Sequence, residues 1–342
     1  MRFGAVPTTE AVGLLTAHTL RGGGATLRKG SPITAEMAER LAAEGVREVV
    51  AVALDADDVG EDAAAAKLAA ILTGENLRRE APFTGRCNLF ARCPGLLRID
   101  RERIEAVNGI DEAITVATLP AFKPVAEGEM VATVKIIPYA VPGSILARAC
   151  GEGGVGALDI APYRRRRVGV VSTRLPALKD ATIDKTLRVL SERLAPTGAV
   201  IVAETRVGHT PEAVADGLTD VIDHGGADLA ILFGASAIAD RRDVIPVGIE
   251  RAGGHVDHLG MPVDPGNLLL LGKRGAVPVI GAPGCARSPK ENGFDWILHR
   301  LLADIPVNRA DIVALGVGGL LMEIVSRPQP RDGGETELAD DA

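Results

Sequence analysis

The chain has 342 residues, 24% of them charged, and a net charge of -7 at pH 7. Such a length allows two or three domains with a large core, and the acidity argues against nucleic acid as a partner. The four cysteines fit neither a zinc pattern nor a dense disulfide framework, which predicts reduced thiols. No apolar run reaches the ~18 to 20 residues that cross a bilayer, so we expect a soluble, cytoplasmic protein with no membrane partner.

Residues 1–80 predict an N-terminal α+β module. Ser31 or Thr34 can cap a helix from about residue 35 to 44, and an Ala-rich helix is predicted over about 61–72. Neither helix carries a cluster of reactive side chains. This module is therefore expected to be structural.

Residues 81–165 contain many Gly and Pro residues between short apolar runs, which predicts a β-rich module. Four polar residues of this module could face a ligand, namely Arg86, Asn88, Lys123 and Lys135. Isolated polar residues are more often solvated surface, so a scaffold or dimerisation role is favoured, and we expect a homo-oligomer. The Gly-rich run 151–156, followed by Pro162, is typical of a domain boundary.

From residue 166 to 328, strands alternate with helices, which is typical of an α/β domain with a mostly parallel sheet. Strands are expected at about 168–172 and 199–204, and helices at about 182–194 and 211–224. Right-handed crossovers place the loops after parallel strands at one edge of the sheet. A ligand is expected at that edge. The acidic, Gly- and Pro-rich residues 329–342 predict a disordered tail.

The segment 228–249 is the most informative part of this domain. Residues 228–233 read as a strand covered on both faces, and the four residues that follow have small side chains. Their N–H groups could come close to a phosphate or a pterin ring. Asp243, with Pro246 three residues later, marks a helix start. The alternative is a tight turn between strand and helix that binds nothing.

A second unit of strand, loop and helix is expected later in the chain. The strand runs from about 277 to 281, and the helix from about 292 to 303. Gly284, Arg287 and Ser288 lie in the loop between them, where amides and positive charge would suit an anion.

These two loops resemble those of the molybdopterin-binding domain family, the MogA/MoeA-like proteins of molybdenum cofactor biosynthesis. The segment LFGASAIADRRDVIPVG, residues 232–248, is similar to the glycine loop of the family and the RDVTP run that follows it. The segments MPVDPG, residues 261–266, and APGCARS, residues 282–288, are similar to two further elements of the family. The resemblance covers residues 167 to 305. It is closest to the bacterial molybdopterin-binding proteins related to those fused to a MobA-like nucleotidyltransferase.

The resemblance implies an α/β three-layer sandwich with a mostly parallel sheet, the molybdopterin-binding fold, after the two smaller modules. It implies that the protein binds molybdopterin, or its nucleotide derivative, in cofactor biosynthesis or delivery. A MobA-like nucleotidyltransferase or a molybdoenzyme chaperone is the implied protein partner. The pterin would be bound by Ser172, Thr173, Arg174, Gly234, Ala235, Ser236, Ala237, Asp240, Arg241, Arg242, Pro283, Gly284, Arg287 and Ser288.

One alternative is an enzyme that adenylylates molybdopterin with Mg²⁺ and ATP, or that inserts molybdate. Asp243 would be its catalytic residue and its magnesium ligand. Ala235 and Ala237 stand where the family has glycines, and a second carboxylate is not evident after the second strand of the domain, where His209 or Glu212 occupies the neighbourhood. Both departures favour binding over catalysis. A third possibility is nucleotide or amide hydrolysis, as in CinA-like proteins.

Overall fold

The computed structural model describes residues 1–22, 25–176 and 178–321. Within these ranges the chain forms nine α-helices and twenty β-strands, so the expected α/β class is confirmed. The chain divides into two compact units, Met1–Pro162 and Tyr163–Ala342. A further division of the first unit at residue 80 stays a prediction, and the acidic tail expected at 329–342 lies outside the described residues.

The first unit contains short strands and four helices within its described residues. They are β1 Arg2–Pro7, β2 Leu15–Thr16, β3 Leu20–Gly22, β4 Ala25–Leu27, α1 Ala35–Ala43, β5 Glu48–Ala53, β6 Asp58–Gly60, α2 Glu61–Leu72, β7 Leu77–Arg79, β8 Arg86–Ala91, β9 Gly95–Ile99, α3 Arg101–Asn108, β10 Ile114–Thr118, β11 Pro124–Val125, β12 Met130–Ile136, β13 Ala140–Pro142, α4 Gly143–Gly153 and β14 Leu158–Pro162.

Antiparallel pairing dominates this unit. The largest sheet has the order β10-β12-β8-β7, and smaller sheets have the orders β1-β5-β2 and β11-β9-β14. Helix α2 packs on the four-stranded sheet through Leu68 and Leu72, which are fully buried in the main core cluster of the unit. Helix α1 starts at Thr34, whose Oγ1 accepts the N–H of Met37 at 3.2 Å, so the cap expected from the sequence is present.

The second unit alternates strands with helices. Its elements are β15 Arg167–Arg174, α5 Asp180–Leu194, β16 Val200–Gly208, α6 Pro211–Thr219, β17 Leu229–Phe233, α7 Val244–Arg251, β18 His255–Leu259, β19 Leu270–Arg274, β20 Val277–Ala282, α8 Gly293–Leu302 and α9 Arg309–Ala314.

Six of these strands form one sheet in the order β16-β15-β17-β20-β19-β18. The pairs β15–β16, β15–β17 and β17–β20 are parallel, whereas β19 is antiparallel to both of its neighbours. All five residues of β17 are buried, as expected for a central strand covered on both faces. The carboxyl ends of β15, β16, β17 and β20 therefore lie next to one another at one edge of the sheet.

Two boundaries differ from the sequence expectation. Strand β16 continues to Gly208 because its ladder with β15 persists as far as the pair Arg174 and Gly208, so residues 205–208 belong to the strand. The helix expected over 211–224 is α-helical only to Thr219. Residues Asp220–His224 then wind as a π-helix, in which the N–H of Gly225 reaches the carbonyl oxygen of Asp220.

Candidate functional site

Three loops meet at the carboxyl edge of the six-stranded sheet through side-chain hydrogen bonds. Thr173, at the end of β15, has its Oγ1 2.9 Å from Nδ1 of His209, which follows β16. The other ring nitrogen of His209, Nε2, lies 3.0 Å from Oγ of Ser236 in the loop after β17. The N–H of Ala235 in the same loop donates to Thr173 Oγ1 at 2.7 Å. The three strand ends are thus held in a single network.

The burial of Thr173 decides how the protons are arranged in this network. The side chain is 1% exposed, so its hydroxyl hydrogen needs an acceptor within the protein. Because Oγ1 already accepts the N–H of Ala235, the nearby acceptor for that hydrogen is Nδ1 of His209. The histidine proton then resides on Nε2, which donates to Ser236 Oγ. In this arrangement His209 positions Ser236 and does not act as a base towards it.

The loop after β17 has a tight turn followed by unused donors. A Cβ atom at Gly234 would lie 2.6 Å from the carbonyl oxygen of Ser236, so only glycine fits this turn. The main-chain N–H groups of Ser236, Ala237 and Ile238 donate to no acceptor within residues 1–22, 25–176 and 178–321. Ser236 and Ala237 are exposed. The loop therefore presents successive N–H groups with little side-chain bulk around them.

Arg287 connects the loop after β20 to the loop after β17. Its Nη2 donates to the carbonyl oxygen of Gly234 at 2.7 Å, and its guanidinium lies 5.6 Å from the ring centroid of Phe233. Burial lowers the pKa of the Arg287 guanidinium below its usual range. Arg287 thus acts chiefly as a brace between the two loops.

Arg193 of helix α5 also fixes the loop after β20 by hydrogen bonds. Arg193 donates to the carbonyl oxygens of Ala286, at 2.7 Å, and of Ser288, and its Nε donates to Asp295 Oδ1 at 2.6 Å. Both members of this ion pair are mostly buried, with side chains 9% and 12% exposed. Asn292 and Asp295 form a capping box at the start of α8. These interactions fix the loop that contains Pro283, Gly284, Arg287 and Ser288.

Asp243 occupies the helix cap position expected from the sequence. Its Oδ1 accepts the N–H of Val244 at 2.7 Å, and its Oδ2 accepts the N–H of Ala239 at 3.2 Å. Both carboxylate oxygens are thus used to join the loop to helix α7. The magnesium role of Asp243 stays a prediction, and the described parts of the chain contain no group of three or more His, Cys, Asp or Glu side chains that could hold a metal ion.

The other arginines of the expected site have partners of their own. Arg242 is paired with Asp240 at 2.7 Å, and this pairing lowers the pKa of Asp240 to about 2. Arg241 donates to the carbonyl oxygen of Val256 in β18, and Arg174 lies 3.4 Å from Asp180. Each of these arginines, like Arg287, thus has a partner within the protein, and their joint contact with one ligand stays a prediction. Arg242 has 90% of its side chain accessible.

Ser172 is a buried polar residue at this edge without a partner. Its side chain is 2% exposed, and Oγ makes no hydrogen bond to any part of the chain that the structure describes. It lines a cavity too small for a water molecule, together with Thr173, Phe233 and Arg287. An unpaired buried hydroxyl costs about 1 to 3 kcal/mol, and such cost is often found near functional sites.

Sequence reasoning does not single out two residues that organise this edge. From the sequence, His209 is named only because it lies where a second carboxylate would be expected. Its position directly after β16 nevertheless indicates the correct edge of the sheet. Arg193 has no distinguishing signal, because an arginine in an amphipathic helix is usually a solvated side chain.

Together, these features define a unit with a mostly parallel sheet, whose carboxyl edge holds two braced, small-residue loops. No known family model matches the chain, and no curated protein matches it. Among solved structures, the molybdopterin biosynthesis MoeA protein from Pyrococcus horikosii is 14% identical; the match covers 89% of this chain and 75% of that protein, with a TM-score of 0.32.

A second solved structure is the molybdopterin biosynthesis enzyme MoaB from Thermus thermophilus. It is 18% identical, and the match covers 41% of this chain and 98% of that enzyme, with a TM-score of 0.29. Both structural neighbours are thus molybdopterin biosynthesis proteins. No helix in the described ranges has the length and apolar character needed to cross a membrane.

Proposed function

We propose that the second unit binds molybdopterin, or its nucleotide derivative, at the carboxyl edge of its six-stranded sheet. The observation that carries the proposal is the pair of unused N–H donors at the exposed residues Ser236 and Ala237, within the described part of the chain. Two successive donors on a loop with small side chains can receive the oxygen atoms of a phosphate or of a pterin ring. The motif resemblance over residues 232–248 and 282–288 supports the same ligand.

The phosphate of the ligand would be received by Arg242. This side chain is exposed and forms an ion pair with Asp240. An exposed ion pair contributes about 0 to 1 kcal/mol, so exchanging Asp240 for a phosphate costs little. The doubly charged phosphate is a stronger acceptor for a guanidinium than one carboxylate. Arg287 would keep its structural bond to Gly234 in the complex.

Binding or delivery is favoured over adenylyl transfer because of Asp243. Both of its carboxylate oxygens already accept main-chain N–H groups, at 2.7 and 3.2 Å. A magnesium ion prefers several oxygen ligands around it, and Asp243 would have to give up part of its cap to coordinate one. In this proposal the unit is a three-layer sandwich, and the pterin passes between this chain and a nucleotidyltransferase or a molybdoenzyme chaperone.

The test is a titration of the purified chain with molybdopterin, followed by fluorescence of the oxidised pterin and by the melting temperature Tm. A ligand that binds only the folded state must raise Tm. We expect Arg242→Ala to weaken binding, with a loss that shrinks as salt rises. The matched control is Arg188→Ala, an exposed arginine on helix α5, which should leave affinity unchanged.

The proposal fails if wild type neither releases a fluorescent pterin nor gains Tm from added molybdopterin. Incubation with MgATP and molybdate tests the enzymatic alternative in the same preparation. Adenylylated pterin or active cofactor in molar excess over the protein would assign an enzyme in place of a carrier. Turnover of ADP-ribose or nicotinamide mononucleotide would instead indicate the CinA-like hydrolase.

A further inference from the structure

The first unit contains a cavity of about 300 Å³ that is lined by more basic than acidic side chains. Three basic side chains line it, from Lys29, Arg86 and Lys135, and one carboxylate does, from Glu61. This excess of positive charge occurs in a chain with a net charge of -7. The volume lies at the lower end of the range for small-molecule sites, which is about 300 to 1,000 Å³.

Two of these cations are direct neighbours on adjacent strands of the four-stranded sheet. Lys135 in β12 is directly opposite Arg86 in the antiparallel strand β8. Side chains at directly opposite positions lie on the same face with Cβ atoms about 5 Å apart, and like charges there are destabilising. Lys135 has Glu61 at 3.7 Å as a partial counter-charge. Arg86 has no acidic partner within 4.0 Å among the described residues.

The turn at the mouth of the cavity is strained. Phe83 and Arg86 exchange two main-chain hydrogen bonds, of 2.9 and 3.0 Å, around a two-residue turn. Both central residues have positive φ, 46° at Thr84 and 72° at Gly85. Glycine accepts this conformation, whereas a β-branched residue strongly disfavours it. The strain is maintained in part by Lys135, whose Nζ donates to the Thr84 carbonyl oxygen at 2.7 Å.

Gly85 allows the close contacts beneath this turn. A Cβ atom there would clash with Glu61 Oε2 and would lie 2.7 Å from Lys135 Nζ. Tyr139 also lines the cavity; its hydroxyl donates to the Ala17 carbonyl oxygen at 2.6 Å, and its ring centroid lies 5.0 Å from Lys29 Nζ. The basic groups are thus held around a defined space and are not simply scattered over the surface.

We propose that this cavity binds the phosphate monoester group of a small metabolite. A phosphate between Arg86 and Lys135 would bridge the two opposed cations and remove their repulsion. At neutral pH a phosphate monoester carries a charge of about -1.5 to -2 and offers three strong acceptor oxygens, which suit a guanidinium and an ammonium together. Lys29, which also lines the cavity, would contribute the third positive charge. This site is separate from the one proposed in the second unit.

The experiment titrates the full chain with glycerol 3-phosphate, by calorimetry and by Tm, and repeats it with glycerate, a carboxylate of similar size. We expect saturable binding of the phosphate, at least about tenfold tighter than glycerate. Arg86→Gln should weaken phosphate binding about tenfold or more. In phosphate-free buffer the same variant should melt at the wild-type temperature or above it, because a like-charge contact is removed.

Two controls separate a specific site from general attraction to positive charge. Lys123→Gln removes an exposed lysine of the same unit and should leave the affinity unchanged, as should Arg188→Gln, which removes an exposed arginine of the second unit. If Arg86→Gln does not fold, Lys29→Gln provides the same test, because Lys29 is exposed and contacts the ring of Tyr139.

Three results would overturn the proposal. They are the absence of saturable glycerol 3-phosphate binding in wild type, an equal affinity in wild type and both pocket variants, and binding of glycerate as tight as that of the phosphate. A fourth result would equally reject a phosphate site. If the wild-type chain binds no phosphate but associates with itself, and Arg86→Gln loses this association, the cavity is a contact between copies of the chain.

Discussion

Thr173 Oγ1 lies 2.9 Å from Nδ1 of His209, and this contact joins the ends of β15 and β16 in the second unit. The hydroxyl also accepts the N–H of Ala235 from a third strand end. A single buried side chain therefore sets both the tautomer of His209 and the position of the loop after β17.

The tautomer of His209 is expected to be the one with its proton on Nε2. Nitrogen chemical shifts of chain labelled with ¹⁵N-histidine should show Nδ1 unprotonated when the ring is neutral, because Nδ1 accepts the hydroxyl of Thr173. A proton on Nδ1, with Nε2 accepting from Ser236, would contradict the expectation. That result would make His209 a candidate base for Ser236.

Thr173→Val is expected to destabilise the fold by about 1 to 3 kcal/mol, because the N–H of Ala235 then loses its acceptor in a buried setting. The substitution preserves shape, so packing changes little. Thr182→Val, at an exposed position in α5, is the matched control and should stay within about 0.5 kcal/mol. Urea unfolding provides both values, and equal stabilities of the two variants would remove Thr173 from its structural role.

Asp243 has a dual role as helix cap and loop anchor. Asp243→Ala should lose about 0.5 to 2 kcal/mol in urea unfolding, since both N–H acceptors disappear. Asp243→Asn keeps one oxygen for Val244 and should lose less. If Asp243 also binds magnesium, Asp243→Asn would abolish any magnesium dependence of pterin binding. If the pterin affinity changes neither with magnesium nor with Asp243→Asn, Asp243 serves only as a helix cap and loop anchor.

Substitution of Arg193 is expected to lower the free energy of unfolding of the second unit strongly. Arg193 pairs with Asp295 at 2.6 Å with both side chains largely buried, and it donates to several carbonyl oxygens of the loop after β20. Removing one member of a buried pair typically costs about 3 to 5 kcal/mol. Arg193→Met should therefore lower the free energy of unfolding by roughly that amount. Arg188→Met, exposed on the same helix, should have almost no effect.

Local sequence signals are sufficient for the elements that frame the candidate site. The apolar run before Gly234 predicts β17, and Asp243 predicts the start of α7, because burial on both faces and helix capping each leave a pattern within a few residues. The parallel direction of most strands also follows from the alternation of strands and helices.

Long-range contacts leave no such signal. His209 and Thr173 are 36 residues apart in the chain, and Arg193 and Asp295 are 102 apart, so their pairing depends on strand order and helix docking. The partners of the site arginines are hidden from the sequence for a related reason. Each guanidinium is long enough to find a nearby acceptor, such as Asp240 for Arg242, and sequence position alone does not reveal which one.

Stability of the second unit is expected to fall when the pH drops below about 6.5, because of His299. Burial lowers the pKa of this imidazole below its ordinary value of 6.5, and its Nδ1 lies 2.8 Å from the hydroxyl of Tyr163. The unfolded chain therefore takes up a proton at a higher pH than the folded chain does. By linkage, the contribution of His299 is complete above pH 6.5 and decreases as the pH falls towards its folded pKa.

Tm should be measured from pH 7 to about pH 5, above the range in which most carboxylates titrate. His299→Asn removes the titrating ring and should flatten the profile towards its acid end. Some slope should remain, since the pKa of His258 is also lowered by burial. If His299→Asn and wild type gave parallel profiles, protonation of His299 would play no part in the acid sensitivity of the protein.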